Sequence, residues 1–203
     1  MPTNYFRADA QMIAKLIDKD CLRFTAENLA TLICVFSVST KSAGEVPLTV
    51  LLKGDLAERI SREDNINGWF EVKGELRNSA IPYNDYTLPS ISISALSVSP
   101  LPNASKSQIY CEVIGRLTAD AEAISKSNNF NFMRFSLAVN RVKSDKAHFF
   151  DFSVFKPALM EAVDNETAKG KSVFAAGELT FYKQGGKSSP GYSIKLEKLI
   201  TLG

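Results

Sequence analysis

His148-Phe149-Phe150-Asp151-Phe152-Ser153-Val154-Phe155 is the stretch on which the reading of this chain turns. Strand alternation places Phe150, Phe152 and Val154 on one face, an ordinary apolar side for a core. The opposite face then carries Phe149, Asp151, Ser153 and Phe155. Two large aromatics interleaved with two small polar residues suit neither a core nor a plain wetted surface. A half-exposed polar face bearing aromatic rings is suited to stacking unpaired bases. Cover by a partner subunit or a neighbouring loop accounts for the same pattern, and this stretch alone leaves both readings open.

Outward from this strand, the chain looks like two copies of one plan. Ser99-Pro100-Leu101-Pro102-Asn103-Ala104-Ser105-Lys106-Ser107 has the small, polar, proline-rich make-up of a linker. It divides the sequence into 1–103 and 104–203. The triplet Gly74-Glu75-Leu76 returns as Gly177-Glu178-Leu179, 103 positions later. At that spacing Leu56 meets Leu159, Glu58 meets Glu161, Ile60 meets Val163 and Lys53 meets Lys156. Strand three of the first copy then sets Val46 against Phe149 and Leu52 against Phe155, aliphatic residues for aromatic ones. Phe36-Ser37-Val38 lies against Phe135-Ser136-Leu137 at a slightly shorter spacing. An internal repeat of this kind governs the fold and is sought first.

Each copy reads in the same element order. In the first, strands are expected at Asp9–Ile17 (where Ala10–Leu16 also suits a short helix), Leu29–Val38 and Pro47–Leu52. A helix from Asp55 to about Ile66 follows, stopped by Asn67-Gly68. Strands at Trp69–Leu76 and Ser90–Val98 complete the copy. In the second, strands are expected at Ile109–Leu117, Phe130–Val139 and His148–Phe155. A helix over Pro157–Ala168 opens on proline. Strands at Ser172–Tyr182 and Tyr192–Thr201 flank a hairpin tip. The class is all-β with one short helix per repeat. Five strands with a helix between the third and fourth are the order of an OB-fold barrel, so two tandem five-stranded OB-fold barrels are expected.

Composition narrows the function. Of the 203 residues 45% are hydrophobic and 23% charged, as in a globular protein. No apolar run approaches the ~18 residues of a membrane span. The N-terminal residues have no signal-like apolar core, so a cytoplasmic, nucleoid-associated address without a targeting signal is expected. Cys21, Cys34 and Cys111 have no paired spacing and are expected to be buried and reduced. With a single histidine, His148, the usual zinc frameworks and multi-histidine triads are excluded. No glycine loop for phosphates is present. The chain is therefore expected to be no enzyme and to need no cofactor. Its net charge of +2 hides an asymmetry: residues 1–103 carry 10 Lys+Arg against 12 Asp+Glu, residues 104–203 carry 14 against 10. Only the second half leans toward a polyanion.

The second copy resembles the bacterial single-stranded-DNA-binding protein family. The residues that carry the likeness are Val113-Ile114-Gly115-Arg116-Leu117-Thr118-Ala119-Asp120, Phe135-Ser136-Leu137-Ala138-Val139-Asn140-Arg141, Phe149-Phe150-Asp151-Phe152-Ser153-Val154-Phe155, Lys169-Gly170-Lys171-Ser172-Val173 and Gly177-Glu178-Leu179. They span nearly all of 108–203, while the first copy matches through the internal repeat as a diverged duplicate. The resemblance implies that Phe149 and Phe155 stack on bases. Family aromatics in the loop after strand two and in the last hairpin are replaced here by Lys143 and Gln184, with Tyr182 nearby. The acidic tail that recruits other proteins has no counterpart at Leu199–Gly203. Four-barrel assemblies in the family imply a homodimer of this chain.

Other residues extend the candidate interface. On strand two, Phe132 and Arg134 share the face that meets Phe149 and Phe155, and a ring beside a cation would enlarge a stacking platform. Packing of Phe132 under the loop 125–129 is the equal alternative. Arg141, Lys143 and Lys146 in one loop, with Lys183 and Lys187 in the last hairpin, are read as two basic rims for a phosphate backbone. Trp69 is expected in a contact between barrels or subunits, with a base as the second choice. Tyr83 and Tyr86 are expected to pack locally. The expected ligand is single-stranded DNA, with RNA open, in replication, recombination or repair and alongside other replication proteins. The rival reading is an OB-fold platform for protein–protein contact, or an RNA-binding subunit of a larger complex.

Overall fold

Alternating apolar residues draw the chain into long strands, and the short helices fall where alternation stops. The computed structural model describes residues 6–126, 130–140 and 146–202. The first half contains β1 (Arg7–Lys19), β2 (Arg23–Phe24), β3 (Ala30–Thr40), β4 (Gly44–Lys53), α1 (Asp55–Ser61), β5 (Trp69–Arg77) and β6 (Ser92–Pro100). Its strands neighbour one another in the order β2-β3-β4-β6-β5-β1, and pairing of β1 with β3 closes the barrel. The second half contains β7 (Gln108–Leu117), β8 (Glu122–Lys126), β9 (Phe130–Asn140), β10 (Ala147–Val154), α2 (Pro157–Glu166), β11 (Ser172–Tyr182) and β12 (Gly191–Leu202). The order is β7-β11-β12-β10-β9-β8, closed by β7 against β9. These are two five-stranded OB-fold barrels in tandem, each with its helix between the third and fourth barrel strands. Neither described helix is long and apolar enough to cross a membrane.

By its contacts the chain forms two compact units. One is built mainly from Tyr110–Thr180, the other from Ala10–Ile109 together with Phe181–Gly191. Within the first barrel Phe36 meets Phe70 edge-on at 6.3 Å. Within the second, Phe135 and Phe152 are cross-strand partners whose rings lie parallel at 5.0 Å. Such centroid distances are those of favourable aromatic pairs.

The triplet Gly-Glu-Leu recurs for a mechanical reason. A Cβ on Gly74 would lie 2.3 Å from the Ser94 carbonyl oxygen, and one on Gly177 would lie 2.0 Å from that of Lys195. In both barrels the fourth strand passes so close to the fifth that only glycine fits. In the first, the pairing also slips at this point, between Lys73 and Gly74.

Several expectations need correction. The strand expected over Asp9–Ile17 stands and its helical alternative falls: residues 10–16 are strand throughout, with Ala8, Ala10, Met12, Ala14 and Leu16 buried in strict alternation. Helix α1 ends at Ser61, not near Ile66, because the Lys19 ammonium reaches the carbonyls of Ile60, Ser61 and Glu63. A cation on the last carbonyls satisfies them and stops the helix. The proline-rich segment after β6 is not a loose tether: Leu101 donates its N–H to the Trp69 carbonyl at 2.8 Å, and Ser107 is buried. Cys21 is exposed, whereas Cys34 and Cys111 are buried. Burial pushes the Cys34 thiol up to about 12 and raises that of Cys111 as well.

Candidate nucleic-acid interface

β10 lies antiparallel to β9 with Phe149 opposite Ala138, Asp151 opposite Ser136 and Ser153 opposite Arg134. Phe150, Phe152 and Val154 point into the core and are fully buried. The other face is open: Phe149 is 49% exposed, and Asp151 and Arg134 are exposed beside it. Phe155 and Phe132 are half-buried and stack on each other at 5.5 Å. Phe132 thus joins Phe155 and stands opposite Ile124 of β8 in the sheet.

The polar residues of this face are held by one another. Ser136 donates its hydroxyl hydrogen bond to Asp151. Ser153 and Ser193 share a hydrogen bond of 2.6 Å, and Ser193 and Tyr192 donate to the backbone carbonyls of Asp151 and Phe149. Arg134 pairs with Glu122 at 3.1 Å, an exposed contact that places a carboxylate beside the cation. Glu122 and Ser193 are absent from the sequence-based candidates. The short strand β8 is too brief for its alternation to stand out, and Ser193 is brought alongside Ser153 by the parallel pairing of β10 with β12.

The first barrel handles the same face differently. Phe152 pairs in parallel with Ile194, and Val50 with Ile93. This sets the third strands in register at a spacing of 102, one less than the glycines give. Phe149 is therefore matched by Pro47, and Phe155 by Lys53, not by Val46 and Leu52. Both of the latter are buried on the core side. The cross-strand pair Ser136–Asp151 is matched by Val35–Thr49, and both of these are 0% exposed. Beside Val35 on the strand ladder stands Asp18, and the loop tyrosines reach that carboxylate. Tyr83 is buried, its phenol raised to about 12 by burial and by Asp18, and it lies 5.9 Å from Tyr86. These tyrosines pack locally on a face that is closed.

The remaining candidates fall as follows. Arg141 and Lys143 lie outside the described residues. Lys146 is exposed. Tyr182, Lys183 and Lys187 are exposed and belong to the unit of Ala10–Ile109, where both lysines line a cavity of about 400 Å³ with Glu45, Pro47 and Thr87. Trp69 is half-buried, with the Lys15 ammonium 5.3 Å from its ring centre.

Comparison with known proteins agrees with this architecture. Residues 110–198 match the model of the single-strand binding protein family. The wild-type single-stranded DNA binding protein from Thermus aquaticus superposes with a TM-score of 0.70 at 21% identity, covering 98% of this chain and 94% of that one. A deletion mutant of the same protein gives 0.71 at 19% identity, covering 98% and 95%. At such identities the likeness is one of fold, extending over both barrels. No curated protein sequence matches the chain. The second barrel is thus similar to the single-strand binding protein family over residues 110–198, and it follows a first barrel of the same fold.

Proposed function

We propose that this chain binds single-stranded DNA with little sequence preference, in replication, recombination or repair. The observation that carries the reading is the open face of β9 and β10, where Phe149 and the stacked pair Phe132–Phe155 stand on a sheet bearing hydroxyls and charge. The domain's family supports it. Every base has a π-face, so stacking on such rings does not discriminate among sequences. Phosphate attraction comes from the cation-rich second half, 14 Lys+Arg against 10 Asp+Glu, including Arg141, Lys143 and Lys146. Asp151 and Glu122 temper it locally. The proposal includes a homodimer that presents four barrels, which light scattering would register near twice 22.3 kDa. Labelled oligo-dT titrated against duplex DNA and oligo-rU competitors tests the ligand. Oligo-dT should bind and duplex should compete poorly; equal competition by duplex contradicts the reading, and preferential competition by oligo-rU reassigns the ligand to RNA.

A further inference from the structure

Trp69, the chain's only tryptophan, begins β5 and is half-buried. With Lys15 it borders a shallow cavity of about 210 Å³ inside the unit of Ala10–Ile109. A space of that size has room for one nucleobase and not for a run of them. Lys106 brings a second ammonium to the lining, and Ser39 and Ser105 bring hydroxyls. Among the described lining residues Glu45 is the one carboxylate, and it accepts a hydrogen bond from Ser37 at 2.9 Å. An indole face, two ammonium groups and several hydroxyls around a space of this size suit a base together with its own phosphates.

We propose that this cavity is a one-nucleotide contact for single-stranded nucleic acid, with the base against Trp69 and the flanking phosphates on Lys15 and Lys106. The inference rests on the proposed binding of single-stranded DNA but places the base on Trp69 of β5 and not on a third-strand side chain. Lys15 now lies over the indole. An exposed lysine–indole contact is weaker than base stacking, so an arriving base displaces the ammonium toward its phosphate. The closed strand-three face of the first barrel thus does not leave this unit without a role in binding.

Because Trp69 is the single tryptophan, its fluorescence reports this cavity directly. The full chain is titrated with oligo-dT while tryptophan emission is recorded, and the anisotropy of labelled oligo-dT is followed in parallel. Emission should be quenched in step with the anisotropy rise. Trp69→Ala should weaken binding at least about fivefold, the lower end of the stacking range. The surface pair Lys15→Gln and Lys106→Gln should lower the salt slope by about 1.4, two single-strand phosphates. Rising anisotropy with unchanged emission, or an unchanged slope in the lysine pair, overturns this site and leaves the binding function standing. Absence of any anisotropy change overturns the binding function and this site with it.

Discussion

Phe132 on β9 and Phe155, the residue that follows β10, have ring centres 5.5 Å apart and planes inclined by 28°. Each ring packs against the other, so under the proposed function the outer faces are ordered before a base arrives. Preorganised rings lose less conformational freedom on binding. Phe132→Ala and Phe155→Ala should each weaken oligo-dT binding by ~1–3 kcal/mol. The double variant should lose less than the sum, with a coupling of ~0.5–1.5 kcal/mol. A double-mutant cycle on Kd, with folding checked by circular dichroism, measures this; strictly additive losses would show that the pair does not act as a unit.

Thr49 marks the closed face of the first barrel. Its Oγ1 is fully buried and has no hydrogen-bond partner among the described residues. A buried hydroxyl without a partner costs about 1–3 kcal/mol of desolvation. Thr49→Val removes that hydroxyl at almost constant shape. The variant should unfold at higher denaturant concentration, by roughly 1 kcal/mol in stability, with oligo-dT affinity unchanged. A less stable variant would mean that the hydroxyl is satisfied in solution.

Salt reads the electrostatic share of binding. For single strands log K falls with log salt at about −0.7 per phosphate contacted. Affinity for oligo-dT between about 50 and 200 mM salt should drop at least several-fold. A flat response would remove phosphate attraction from the account and leave stacking alone.

Much of this was legible in the residues. Alternation in 148–155 gives both the buried side and the outward Phe149 and Phe155, because a strand's period is fixed by its backbone. The repeated Gly-Glu-Leu locates both fourth strands, since the close approach there tolerates no side chain. What escaped depends on chain brought from afar. The end of α1 is set by Lys19, 41 to 44 residues away in sequence. Burial of Val35 and Thr49 on the outward side is invisible to strand alternation. The one-residue shift between the third strands shows only in the pairing with β6 and β12, and it changes the partners of Phe149 and Phe155 to Pro47 and Lys53. Glu122 was missed because β8 holds only five residues.

The central claim, that bases stack on the open face of the second barrel and not on the matching face of the first, has a direct test. Oligo-dT affinity is measured by anisotropy for Phe149→Ala, Phe155→Ala, Pro47→Ala and Lys53→Ala, each shown to be folded. The first two should lose ~1–3 kcal/mol each. Pro47→Ala should leave Kd unchanged, and Lys53→Ala should change it by no more than the loss of one charge. Equal losses from both pairs, or none from Phe149→Ala and Phe155→Ala, would contradict the account.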